Sequence, residues 1–128
     1  HFMRRDGKVA FITGAGMGVG RATCLLFAAE GSKIVAADIN QEAGEETVRL
    51  IRERGGQAVF VGCDVANELQ VKEAIAAGVK AFGRLDILYN NAGVLWRDRD
   101  FEVTRTNETA WDKVMAINLK MCAQKGEV

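Results

Sequence analysis

The chain has 128 residues, 48% of them hydrophobic and 27% charged, and its 17 Lys and Arg balance 17 Asp and Glu. That is the length and composition of one globular domain with a real core. Zero net charge argues against a nucleic-acid or acidic-membrane surface, and no apolar run approaches the ~20 residues of a membrane span.

His1-Phe2-Met3 reads as a cloning remnant ahead of an initiator Met3, so residues 1–7 are assigned to an N-terminal tail. His1 is the single histidine, which nearly excludes imidazole catalysis and imidazole-bound metal. Cys24, Cys63 and Cys122 are odd in number and widely spaced, with no CxxC. They read as reduced thiols of a cytoplasmic protein, not as a disulfide framework or a zinc site. Proline is absent, which predicts few long irregular loops.

Lys8–Ile12 is a short apolar run and predicts the first strand. Thr13–Gly20 (TGAGMGVG) follows, then a helix from about Val19 to Glu30. Val19, Ala22, Leu26 and Ala29 form its expected apolar stripe, and Gly31 is its stop. Lys33–Ala37 is the second strand, ending at Asp38. Asn40 can cap a helix running to about Arg54, which Gly55-Gly56 terminate. Ala58–Val61 is the third strand, followed by Cys63-Asp64-Val65. Asn67 caps the third helix, whose Val71, Ala74, Ile75, Gly78, Val79 and Phe82 share one face; Gly83 ends it.

Asp86–Tyr89 is the fourth strand, and Asn90–Gly93 (NNAG) follows it. Val94–Asn107 is a polar loop, and a last helix runs from near Glu108 to at least Lys120. The strands are continuous apolar runs, as strands buried on both faces are. With crossover helices between them, the fold class is α/β: a Rossmann-type parallel sheet with helices on both faces. Four βα units make about half of a doubly wound fold, which leaves the fourth strand an open apolar edge.

Strand, glycine-rich turn and helix together suit a diphosphate, because glycine admits close backbone approach and a helix N-terminus offers free N–H groups. The GxGxxG spacing fails, since Val19 and Arg21 stand where its last glycine would fall. There is no GK[ST] either. TGxxxGxG fits, with Thr13, Gly14, Gly18 and Gly20. The bland alternative is a tight strand-to-helix turn. Asp38 favours the nucleotide reading, because a carboxylate closing the second strand can accept from adenosine ribose hydroxyls. It would repel a 2′-phosphate, and Ile39 beside it is no cation, which points to NAD over NADP. The alternative for Asp38 is a turn carboxylate.

These residues, with Asp64-Val65, Asn90-Asn91-Ala92-Gly93 and Asn118, resemble a classical short-chain dehydrogenase/reductase over nearly all of Lys8–Lys120. The resemblance implies a truncated NAD-binding domain at 8–120 and an atypical tail at 121–128. It implies that the backbone of Gly14, Gly16, Met17, Gly18 and Val19 holds the pyrophosphate. Asp38 would take the adenosine ribose, with Ile39 beside it. Asp64 would bind the adenine amino group, with Val65 by the ring. Asn90 would brace the fourth strand, while Asn91, Ala92 and Gly93 line the cofactor. Family members preferring NADP usually carry a basic residue where Met17 or Ile39 stands.

Asn118 lies on the apolar stripe of the last helix with Trp111, Val114, Met115, Leu119 and Cys122. A buried amide needs partners, so it is either a satisfied core Asn or, as the resemblance implies, support for a water-linked proton relay. In the resembled fold Trp96 would lie beside the nicotinamide end, shaping the pocket or packing the loop or a subunit contact.

The family's chemistry uses a Ser and a Tyr-x-x-x-Lys pair, in which Lys lowers the Tyr pKa from about 10. Here the single tyrosine is Tyr89, and Gly93 stands four residues on. Two main functional expectations follow, with a third beside them. One, implied by the resemblance, is an NAD-dependent oxidoreductase exchanging hydride with a small secondary alcohol or ketone, homo-oligomeric and free of nucleic acid and membrane. The other is a catalytically silent dinucleotide-binding fragment. An interaction fragment pairing through the open edge or the last helix is a third reading.

Overall fold

The computed structural model describes residues 6–91. Its elements alternate along the chain: β1 (Val9–Thr13), α1 (Gly18–Ala29), β2 (Lys33–Asp38), α2 (Gln41–Glu53), β3 (Ala58–Gly62), α3 (Glu68–Phe82) and β4 (Ile87–Tyr89). The strands form one sheet in the order β3-β2-β1-β4, every pair parallel. The expected α/β architecture is therefore the observed one. The chain reverses direction across the sheet at β1, which places a crevice outside the carboxyl ends of β1 and β4.

All five residues of β1 are buried, and alternate side chains serve opposite faces. Val9 and Phe11 pack with Val35, Val71, Ile75 and Val79 beneath α3. Ala10 and Ile12 pack with Ile34, Cys24, Phe27, Val48 and Ile51 beneath α1 and α2. This two-sided burial explains the unbroken apolar runs of β1 and β2. Burial pushes the Cys24 thiol up to about 12, with the Asp38 charge adding to it, and the Cys63 thiol up to about 11, with Asp64 adding. Both thiols are protonated at neutral pH and are poor nucleophiles.

Capping residues set the other helices where expected. Asn40 accepts from the Ala43 N–H, and Asn67 accepts from the Gln70 N–H. Gly83 closes α3 in the left-handed conformation at φ 82°.

The stripe of α1 is a correction. Val19 and Leu26 are 65% and 58% exposed, and Ala22 and Ala29 are exposed too. The buried positions are Gly20, Cys24 and Phe27. The reason is the start of the helix. A Cβ at Gly20 would stand 1.8 Å from the Gly14 carbonyl oxygen, so this glycine must face the loop. That contact fixes the helix rotation, and Cys24 and Phe27, four and seven residues on, then face the sheet.

β4 begins one residue later than expected, because Asp86 is used for bonding. Its N–H donates to the Val9 carbonyl and its Oδ2 accepts from the Val9 N–H, both at 2.9 Å. Burial raises the Asp86 pKa, but the Arg84 guanidinium, the Val9 N–H and the Lys8 charge outweigh it and hold the carboxyl below its ordinary value. A depressed carboxyl stabilises the fold above its unfolded pKa, and the contribution is lost as pH falls through the lower folded value. Asp86→Asn is thus expected to lower the urea midpoint at pH 7 and to differ less from the unaltered chain at pH 3. An equal deficit at both pH values would assign the effect to packing. Among the described residues β4 pairs with β1 alone. The expected last helix, the 94–107 loop with Trp96, and residues Ala92, Gly93, Asn118 and Cys122 lie outside the described residues.

Candidate functional site

The glycine loop leaves β1 at Thr13 and is fixed by bonds on both sides. The Ala15 N–H donates to the Ala37 carbonyl at 3.1 Å. The Ala15 carbonyl accepts from the Thr47 hydroxyl of α2 at 2.8 Å. The Gly16 N–H donates to Asp38 Oδ2 at 2.7 Å. A Cβ on Gly16 would lie 2.7 Å from Ala43 Cβ and 2.8 Å from Asp38 Oδ2, so only glycine admits this approach of loop, β2 and α2.

The loop delivers the chain into α1, whose N-cap is Met17. Its side chain makes no capping bond, and no acidic residue stands in the first turn. By contrast, α2 and α3 each have an Asn cap and an acid in the first turn. The first N–H groups of α1 and its positive dipole end therefore have no carboxylate of their own opposite them. Gly18, at φ 55°, has open space where a Cβ would stand. A dinucleotide's pyrophosphate fits this donor set and this opening.

Beyond the loop, the ends of β2 and β3 complete a groove of about 100 Å³ lined by Gly14, Asp38, Ile39, Cys63, Asp64 and Val65. Pairing of Asp38 with Gly62, and the Cys63 N–H bond to the Asp38 carbonyl, set the two strand ends side by side. Asp38 Oδ1 also accepts from the Asn40 N–H at 2.8 Å. Each carboxylate oxygen keeps a further lone pair for a ligand hydroxyl. Asp64 Oδ1 accepts from the Ala66 N–H, and the Asp64 N–H donates to Gln70 Oε1. Met17 and Ile39 are 66% and 73% exposed beside this region.

On the other side of β1, Thr13 joins the strand ends. Its hydroxyl donates to Asn90 Oδ1 and accepts from the Asn91 N–H, both at 2.8 Å. Asn91 Nδ2 would lie 2.9 Å from a Cβ on Gly20, so Asn91 reaches the start of α1. Asn90 Nδ2 is buried with no partner among the described residues.

Gly14, Asp38, Ile39, Asp64 and Val65 thus share one groove, with Gly16, Met17, Gly18 and Val19 on its loop and Asn91 across β1. Sequence reasoning missed Thr47 and Arg21. Arg21 Nε donates to Thr47 Oγ1 at 3.0 Å, and Arg21 Nη2 to the Ala43 carbonyl at 3.2 Å. No local signal marks either residue, because the bonds of Thr47 to Ala15 and to Arg21 span 32 and 26 residues.

A sequence profile described as short chain dehydrogenase matches residues 8–124. The chain belongs to the short-chain dehydrogenase family. Among curated relatives, an uncharacterized oxidoreductase of Thermotoga maritima is 43% identical over 118 residues, covering 92% of this chain and 45% of the relative. A 3-oxoacyl-(acyl-carrier-protein) reductase of the same organism is 41% identical, covering 92% and 47%. The chain spans about half the length of the curated relatives it matches. Among solved structures, a hydroxysteroid dehydrogenase from Escherichia coli matches with a TM-score of 0.67 and 39% identity, over 69% of this chain and 37% of that one. A short-chain dehydrogenase/reductase from Burkholderia phymatum, solved in complex with NAD, matches with a TM-score of 0.64 and 43% identity, over 66% and 30%. Membership in the short-chain dehydrogenase family agrees with the strand order and with the loop joining β1 to α1.

Proposed function

We propose that this chain is the dinucleotide-binding half of an NAD-dependent oxidoreductase that exchanges hydride between NAD(H) and a small secondary alcohol or its ketone. One observation supports it most. The Asp38 carboxylate closes β2 beside an α1 N-terminus that no side chain caps. Phosphate on the helix end and ribose on the carboxylate are the two grips a dinucleotide needs.

In this reading the backbone of Gly14 to Val19 holds the pyrophosphate. Asp38 accepts from the adenosine ribose, Asp64 from the adenine amino group, and Val65 packs against the ring. Asn91, Ala92 and Gly93 line the cofactor, and Asn118 supports a proton relay. The nicotinamide ring supplies the hydride chemistry when bound. The enzyme is cytoplasmic and homo-oligomeric, and acts on a small molecule rather than on nucleic acid or membrane. The NAD found in the Burkholderia phymatum relative is consistent with the cofactor assigned. A second reading, binding without catalysis, is favoured by the lack of a Tyr-x-x-x-Lys pair within these residues.

Cofactor choice tests the proposal. Asp38 stands where an added 2′-phosphate would meet a carboxylate, and neither Met17 nor Ile39 offers a compensating cation. Titrated against the chain, NAD is expected to bind at least about tenfold more tightly than NADP, since like-charge contact costs more than one hydrogen bond gains. Asp38→Ala should narrow the gap. Comparable affinities for the two cofactors in the unaltered chain would sink the assignment.

A further inference from the structure

We propose that Thr47, held by Arg21, is a positioning residue that orients the Ala15–Gly16 peptide and so aims the loop's N–H groups at the cofactor pyrophosphate. The inference rests on the pyrophosphate reading of the loop given above.

The geometry is a clamp on one peptide group. A trans peptide points its carbonyl and its N–H in opposite directions. Thr47 Oγ1 holds the carbonyl end of Ala15–Gly16 at 2.8 Å, and Asp38 Oδ2 holds the N–H end at 2.7 Å. With both ends fixed this peptide cannot rotate, and the N–H groups that follow it inherit its direction. The Thr47 side chain lies in a fully buried residue, so water cannot replace it.

A hydroxyl has a single proton, and Thr47 has two carbonyls within reach: Ala15 at 2.8 Å and Ala43, one turn back, at 3.3 Å. Arg21 settles the competition. Its Nη2 occupies the Ala43 carbonyl, and its Nε donates into a lone pair of Thr47 Oγ1. The hydroxyl proton is left to Ala15, and the charged donor strengthens the bond it passes on. Asp38 would then serve twice, receiving the ribose and holding the far end of the clamped peptide.

The test uses the full chain with Thr47→Val, which keeps the shape and removes the hydroxyl, and Thr47→Ser, which restores it. ADP-ribose and adenosine are titrated by calorimetry, and amide hydrogen exchange of the loop is followed without ligand. Thr47→Val is expected to weaken ADP-ribose about tenfold, the scale for a buried carbonyl left unpaired, with adenosine changed less than about twofold. Loop exchange should quicken, and Thr47→Ser should return both readouts toward the unaltered chain. Arg21→Met, at a partly exposed position, should give the same pattern more weakly, which keeps the test decisive if Thr47→Val does not fold. A folded Thr47→Val, or failing that Arg21→Met, with unchanged ADP-ribose affinity overturns the positioning role. So does an equal loss of ADP-ribose and adenosine that Ser does not rescue. Absence of ADP-ribose binding in the unaltered chain instead overturns the pyrophosphate reading, and the aim of the loop with it.

Discussion

Gly20→Ala is expected to be the most damaging single-methyl change in the described fold. The added Cβ would stand 1.8 Å from the Gly14 oxygen, 2.6 Å from the Gly14 carbonyl carbon and 2.9 Å from Asn91 Nδ2. The two nearest atoms are backbone, so no side chain can swing aside. Relief requires α1 to move off the loop or the loop to leave β1. Moving α1 would disturb Cys24 and Phe27, which pack in the core beneath it. Moving the loop breaks the Ala15, Gly16 and Thr47 bonds. Overpacking of a well-filled site costs typically ~1–3 kcal/mol and occasionally more, and the backbone clash puts this site at the upper end. A loss of ~3 kcal/mol is a large share of a stability of roughly 5–15 kcal/mol. Thermal unfolding should fall by about 10 °C or more. Gly62→Ala is the control, since nothing lies within 4 Å of its Cβ position, and it should change stability by less than about 0.5 kcal/mol. Equal melting temperatures for the two variants would remove the argument that Gly20 sets the rotation of α1.

That contact also marks where the sequence was legible and where it was not. Helices α2 and α3 were readable because their limits are local: Asn40 and Asn67 bond to N–H groups three residues on. The glycines that follow need no distant partner to end a helix. The face of α1 was misread because Val19, Ala22, Leu26 and Ala29 repeat at helical spacing as well as Gly20, Cys24 and Phe27 do. Apolar residues on both sides leave periodicity undecided, and the Gly14–Gly20 approach decides it through the folded chain. The groove was readable in outline, since Gly14, Asp38 and Asp64 each stand at or just past the end of a strand and parallel strands bring such positions to one edge of the sheet. The bond from the Gly16 N–H to Asp38 spans 22 residues, and that from Thr47 to Ala15 spans 32. Neither leaves a local pattern. A Thr inside a helix reads as a surface residue until the fold brings α2 against the loop that follows β1.

Expressed as these 128 residues, the chain is expected to form no NADH from secondary alcohols at an enzyme's rate. Hydride transfer from an alcohol needs a base for the hydroxyl proton and a wall that holds the carbon against the nicotinamide. The single tyrosine is Tyr89. It sits in β4 with its ring edge-on to Phe27, centroids 6.0 Å apart, and Gly93 rather than a lysine stands four residues on. His1 is the single histidine. The thiols of Cys24 and Cys63 are pushed up to about 12 and about 11, far from what a base at neutral pH requires. In the proposed reading Asp38 and Asp64 hold the adenosine end, away from the reacting carbon. Loss of a general acid/base typically costs ~10²–10⁴-fold, and loss of the geometry of attack costs more. The measurement is absorbance of NADH with a panel of secondary alcohols, beside a calorimetric titration of NAD on the same preparation. Binding without turnover is the expected pair. Turnover of about 1–10³ per second would mean that another side chain of these residues acts as the base, or that a second copy of the chain completes the site.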